Sequence, residues 1–160
     1  MGMKASSGLF KNTLGALKYE LMDQFFASKK QDCVYSSTGH VSLNSVSKYR
    51  EYFYDKTAQQ ISSDMEKLGY DTSIKKSSHA NSKAEIIVVS NFNTRRNITQ
   101  IQVSPGSKRH GDNIPYVKIS LTKPLGPKKY GKIKVVNANR NDYKTDGNEK
   151  AYIYTRRKKK

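Results

Sequence analysis

Residues 115–122 read Pro-Tyr-Val-Lys-Ile-Ser-Leu-Thr, and this stretch decides the fold class. Apolar and polar side chains alternate along it, which is typical of a strand with one buried face. The apolar set is predicted to face the core: Val117, Ile119 and Leu121. The other set is predicted to line an open face: Tyr116, Lys118, Ser120 and Thr122.

Other segments after Gly69 share this richness in Val, Ile, Thr and Tyr, and Asn, Gly, Pro and Ser separate them. The predicted strands are Asp71–Lys76, Ala84–Asn91, Ile98–Ser104, Pro115–Thr122, Lys132–Asn137 and Lys150–Arg156. Because no helical pattern interrupts them, we expect an antiparallel sheet of about four to six strands.

Two helical patterns precede the sheet. Apolar residues recur every three or four positions from Leu9 to Ser28, and a looser stripe runs from Leu43 to Leu68, with Gly69 as a stop. The polar stretch Lys29–Ser42 is predicted to be a loop. Helices followed by strands indicate an α+β fold, with two N-terminal helices packed on one face of the sheet.

The length of 160 residues predicts a single domain. We expect it to span residues 1–155, with a helical part at about 8–69 and a sheet part at about 70–155. The closing residues 156–160, Arg-Arg-Lys-Lys-Lys, are predicted to be a frayed basic tail that adds non-specific affinity for phosphate.

The formal charge of +17 favours a polyanionic partner, above all nucleic acid. An anionic membrane or an acidic protein would also fit this charge. No apolar run approaches the ~20 residues of a membrane span, and the N-terminus lacks a secretion signal. Cys33 is the single cysteine, so no internal disulfide can form. Self-repulsion predicts a monomer, and we expect a cytoplasmic site of action.

A cationic sheet face that carries aromatic rings is suited to single-stranded RNA, because rings stack on bases and cations hold phosphates. Lys132 and Lys134 flank Ile133 and extend the open face. On the last strand Tyr152, Tyr154 and Arg156 share one side. The candidate RNA-binding residues are Lys108, Arg109, Tyr116, Lys132, Lys134, Tyr152 and Arg156. The alternative is an ordinary half-exposed strand with its polar residues outward.

The loop before the central strand holds Ser107-Lys-Arg-His-Gly111. Cleavage of RNA needs a base for the 2′-hydroxyl, a cation for the charge on phosphorus and an acid for the leaving oxygen. His110 can fill either proton-transfer role, and Lys118 can supply the charge without a metal ion. His40 and His79 lack such neighbours.

The second half of the chain, Ile98–Thr155, resembles the Barnase–EndoU–colicin–RelE group of ribonucleases. The resemblance lies in His110-Gly111, in Pro115-Tyr-x-Lys-x-Ser120 and in Lys150-Ala-Tyr-Ile-Tyr154. It implies a toxin-like, metal-independent endoribonuclease that cuts transfer or ribosomal RNA and leaves a 2′,3′-cyclic phosphate. It also implies an acidic immunity protein or antitoxin, and delivery within a secreted toxin or a phage protein.

By the same resemblance His110 is the acid or base, Lys118 holds the phosphate, and Ser120, Thr122 or Tyr154 assists. No cofactor or metal is implied. The chain departs from the group in having no second histidine beside His110. Tyr154 and Tyr130 are the candidates for the second proton carrier.

Other functions have weaker support. Acidic residues are scattered rather than clustered, which disfavours a metal-dependent nuclease. Gly126 and Gly131 lack the Gly-Lys-Ser/Thr ending of a phosphate-binding loop. The main alternative is a non-enzymatic RNA- or DNA-binding module, phage-encoded or ribosome-associated, which would not need His110. A protein that binds and inhibits an enzyme through its basic face is a third class.

Overall fold

The computed structural model describes residues 33–78, 82–106, 114–145 and 147–157. The chain divides into two units, Met1–Cys33 and Val34–Lys160, and the architecture below is that of the second. The predicted helix from Leu9 to Ser28 lies outside the described residues. Whether one domain holds both units stays a prediction.

The second unit is an α+β fold built on one sheet of six strands. The elements are α1 (Leu43–Lys48), a 3₁₀ turn (Arg50–Phe53), α2 (Ala58–Lys67), β1 (Thr72–Lys76), β2 (Glu85–Val89), β3 (Ile98–Ser104), β4 (Tyr116–Leu125), β5 (Tyr130–Val136), a second 3₁₀ turn (Arg140–Asp142) and β6 (Tyr152–Tyr154). Each strand lies within or close to a predicted segment. No helix among the described residues has the length and hydrophobicity that a membrane crossing requires.

The helix predicted from Leu43 to Leu68 is wrong as a single element. Asp55 adopts a left-handed φ of 60°, which interrupts the helix before Thr57 caps α2. Ser42 caps α1 in the same way, and each cap forms a reciprocal capping box with the residue three positions on. Phe53 and Ala58 are five residues apart, rather than three or four. The chain divides into two helical elements at this break in the apolar stripe.

The strands follow one another across the sheet in the order β1-β2-β3-β4-β5-β6. The first five pair antiparallel, as predicted. The last pair, β5 with β6, is parallel, so the expectation of a wholly antiparallel sheet is wrong at this edge. A parallel neighbour needs a crossover, and residues 137–151 supply it.

The core lies on one face of the sheet, which we call the helix-bearing face. α2 packs against β1 and β2, where the Ser62 and Thr72 hydroxyl oxygens are 2.7 Å apart. Four isoleucines from successive strands are fully buried on this face and share one row of the register: Ile87, Ile101, Ile119 and Ile133. Buried apolar side chains of α2, Ile61 and Met65, complete this core.

The turn between β4 and β5 requires glycine at residue 126. Gly126 has a φ of +71°, and a Cβ there would lie 2.6 Å from Cδ1 of Leu43. Any side chain would therefore be strained and would collide with α1. This close approach ties the hairpin to the helical part.

Candidate nucleic-acid interface

The face of the sheet opposite the core is polar, and we call it the polar face. Val117, Ile119 and Leu121 are at most 9% exposed, whereas Lys118 and Ser120 between them are half-buried. Successive side chains of a strand point to opposite faces, so the second set lies away from the core. The predicted orientation of this strand is confirmed.

The register extends the polar face over three further strands. Lys118 lies between Gln102 of β3 and Lys134 of β5, and Ser120 lies between Gln100 and Lys132. On β2 the two rows hold half-buried apolar side chains, Ile86 and Val88, and on β1 they end in the exposed Lys75 and Ser73. Gln100, Gln102, Lys75 and Ser73 were not among the candidate site residues. The sequence shows that these residues alternate with others along β1 and β3. Only the pairing of the strands places them in the same rows as Lys118 and Ser120.

Lys134 forms a buried cluster on the polar face. Its side chain is 2% exposed, and its Nζ lies 2.7 Å from Oε2 of Glu149 and donates to the Tyr143 hydroxyl at 2.8 Å. The same ammonium is 4.4 Å from the centre of the Tyr116 ring. The prediction that Lys134 faces solvent is therefore wrong. The crossover after β5 brings Tyr143 and Glu149 over it, so Lys134 has a structural role.

Tyr116 links that cluster to β3. Nε2 of Gln102 donates to its hydroxyl oxygen at 3.3 Å. The ring is half-buried at the start of β4, two positions before Lys118. Tyr116 thus lies on the polar face as predicted, with its ring held from one side by the Lys134 ammonium.

Tyr152 and Tyr154 lie on the helix-bearing face, not the polar face. They are in register with Ile133 and Val135, whose side chains are buried in the core. The Tyr154 ring lies 5.1 Å from the Arg50 guanidinium, and burial raises the pKa of its hydroxyl. The prediction that Tyr154 lies on the open face with Lys118 is therefore wrong. The parallel pairing with β5 decides which side chains of β6 face the helices. Alternation along the sequence alone does not decide this.

Tyr152 and Tyr130 have structural partners. The Tyr152 hydroxyl donates to the Leu125 carbonyl at 2.7 Å, and its ring centre is 5.1 Å from that of Tyr130. Tyr130 begins β5 and pairs with Leu125, at the opposite end of β4 from Tyr116. Neither tyrosine lies beside Lys118.

Arg156 and Arg157 are docked rather than frayed. Nε of Arg156 donates to Oδ1 of Asn137 at 2.7 Å, and Arg157 forms an ion pair with Glu51 at 2.9 Å. Arg157 also donates to the carbonyl of Ser47. The predicted tail therefore begins later than residue 156. Residues 158–160 lie outside the described residues.

Three predicted site residues lie outside the described part of the chain: Lys108, Arg109 and His110. The described residues that border their segment are Gly106, after β3, and Ile114, before β4. Thr122 follows Ser120 by two positions on β4 and is half-buried. Lys132 is exposed. Among the described residues no three His, Cys, Asp or Glu side chains are grouped to hold a metal ion.

Comparison with known proteins found no relative of this chain. No family model, no curated protein and no solved structure matches the chain. The resemblance to the ribonuclease group consequently rests on the quoted residues alone.

Proposed function

We propose that the protein binds single-stranded RNA on the polar face and cleaves it without a metal ion. The observation that carries this proposal is the register around Lys118 and Ser120. An exposed lysine, Lys132, and two glutamine amides, Gln100 and Gln102, share their rows. Cations hold phosphates, while amides and hydroxyls bond to sugars and base edges.

The charge of the whole chain supports the same partner. A formal charge of +17 attracts polyanions over a long range and favours rapid encounter. Lys118 lies in the same row as Lys134, which is paired with Glu149.

The proposed reaction is attack of a 2′-hydroxyl on the adjacent phosphorus, with loss of the 5′ oxygen and formation of a 2′,3′-cyclic phosphate. Lys118 stabilises the charge that develops on the non-bridging oxygens. His110 takes the proton of the 2′-hydroxyl or gives one to the leaving 5′ oxygen, because imidazole titrates near neutral pH, and a water molecule carries the other proton. Ser120 and Thr122 donate hydrogen bonds to the bound RNA beside Lys118.

A binding module without catalysis is the second candidate. It is favoured by the positions of Tyr154, on the helix-bearing face, and of Tyr130, at the far end of β4, because neither candidate for the second proton carrier lies beside Lys118. Such a module would use the polar face in the same way and would not need His110.

Incubation with transfer, ribosomal and messenger RNA in EDTA tests the proposal. We expect cleavage that persists in EDTA, ends in a cyclic phosphate and disappears when the nucleotide at the cut carries a 2′-deoxy substitution. His110→Ala and Lys118→Ala should each slow it by roughly 100-fold or more. Salt-sensitive binding with no cleavage of any RNA would favour the module. No binding at low salt would refute both candidates.

A further inference from the structure

A cleft of about 330 Å³ opens at one end of the sheet. The segment between the first 3₁₀ turn and α2 forms one wall, and the ends of β2, β3, β4 and β5 form the other. Its volume is near the lower end of the range for small-ligand sites, about 300–1,000 Å³. Tyr116 lines the cleft and also belongs to the polar face.

The charges of the described lining residues cancel. Lys56 and Lys83 oppose Asp55 and Glu85. The cleft is therefore unlike the polar face, where lysines outnumber acids, and it does not have the character of a phosphate site. Aromatic side chains contribute to both walls, Tyr54 on one and Tyr116 on the other. Aromatic walls without net charge suit a flat, uncharged group.

Acceptor oxygens lie along the mouth of the cleft. The Asp55 carboxylate is exposed, and Nδ2 of Asn137 donates to its Oδ1 at 3.4 Å. The amide of Asn137 is oriented in turn, because its Oδ1 accepts from Nε of Arg156 at 2.7 Å. That guanidinium lies 5.6 Å from the centre of the Tyr54 ring. The acceptor that this edge offers to a ligand is therefore the exposed Asp55 carboxylate.

We propose that this cleft holds one unpaired base of the bound RNA and that Asp55 selects bases with an exocyclic amino group over uracil. The inference rests on the proposed RNA binding, whether or not cleavage follows. Tyr116 and Lys118 are two positions apart on β4, about 7 Å. Val117 and Val135 line the cleft from the helix-bearing face, so a strand held at Lys118 reaches the cleft by turning around this end of the sheet at Tyr116. Proteins read unstacked bases by such stacking and edge contacts.

The preference follows from the chemistry of the base edges. Cytosine offers its N4 amino group to a carboxylate, whereas uracil has a carbonyl oxygen at that position, which a carboxylate repels. Cytosine and uracil have nearly the same size and shape. A difference in affinity between the two bases therefore reports the hydrogen bond to the carboxylate rather than packing.

The test measures binding of ten-residue 2′-O-methyl oligocytidine and oligouridine by fluorescence anisotropy, since these strands cannot be cut through a 2′-hydroxyl. The wild-type protein should bind oligocytidine roughly tenfold more tightly, the scale of one specific base contact. Asp55→Asn should bring the two affinities to within about twofold. Asparagine tolerates the left-handed backbone of residue 55, so the fold should persist.

Asp71→Asn is the matched control. Asp71 is an exposed carboxylate before β1 and does not line the cleft, so this variant should keep the wild-type preference. Tight, salt-sensitive binding of both strands with no preference, or with a preference that Asp55→Asn leaves intact, would overturn the inference and leave RNA binding standing. Failure of both strands to bind at low salt would overturn the proposed function as well.

Discussion

Nζ of Lys134 lies 2.7 Å from Oε2 of Glu149, and the two side chains are only 2% and 15% exposed. They join the polar face at β5 to the crossover between β5 and β6. Removal of one member of a buried pair leaves the other charge desolvated and unpaired. We expect Glu149→Gln to lower the free energy of unfolding by roughly 3 kcal/mol in urea titrations.

Lys67→Met is the control for that variant, because Lys67 is exposed and its 3.8 Å contact with Asp64 lies on the surface. It should cost less than about 1 kcal/mol. The double variant Lys134→Met/Glu149→Gln should be less unstable than the two single costs predict together, because it leaves no buried charge unpaired. Strictly additive costs would show that the pair is not coupled.

Lys118→Ala should reduce the salt dependence of RNA binding. Each phosphate contact on a single strand contributes about 0.7 to the slope of log affinity against log salt, so the slope should fall by about that amount. The measurement is anisotropy over a series of salt concentrations. Lys67→Ala removes the same charge from α2 and should leave the slope unchanged. Equal losses in both variants would mean that net charge, rather than the polar face, holds the RNA.

Tyr154→Phe should leave RNA cleavage within about twofold of wild type, since its ring lies on the helix-bearing face beside Arg50. Burial also raises the pKa of its hydroxyl, which makes it a poor base near neutral pH. His110→Ala should lose roughly 100-fold in the same assay. A comparable loss in Tyr154→Phe would contradict the assignment of the active region to the polar face.

The two ends of the predicted tail should behave differently on truncation. A chain that stops at Arg157 should keep its stability, with weaker RNA binding from the loss of three lysines. A chain that stops at Thr155 should also lose roughly 1–2 kcal/mol in urea, because Arg157 then no longer bonds to Glu51 and the Ser47 carbonyl. Equal stabilities of the two truncated chains would show that this docking contributes nothing.

Local patterns predicted the strands well and the helical part less well. Alternation over residues 115–122 predicted which side chains are buried, because the period of a strand is fixed by the chain itself. The stripe from Leu43 to Leu68 was misleading, because the left-handed backbone at Asp55 and the cap at Thr57 interrupt it. Asp and Thr also occur inside helices, so neither residue type marks the break by itself.

By itself, therefore, the sequence determined the α+β class, the six strands and the orientation of Lys118 and Ser120, since each depends on neighbours along the chain. Only the tertiary structure decided that Lys134 is buried and that Tyr152 and Tyr154 face the helices. Those outcomes depend on a parallel pairing and on a crossover that brings Glu149 over β5. Contacts between residues far apart in sequence leave no periodic trace in it.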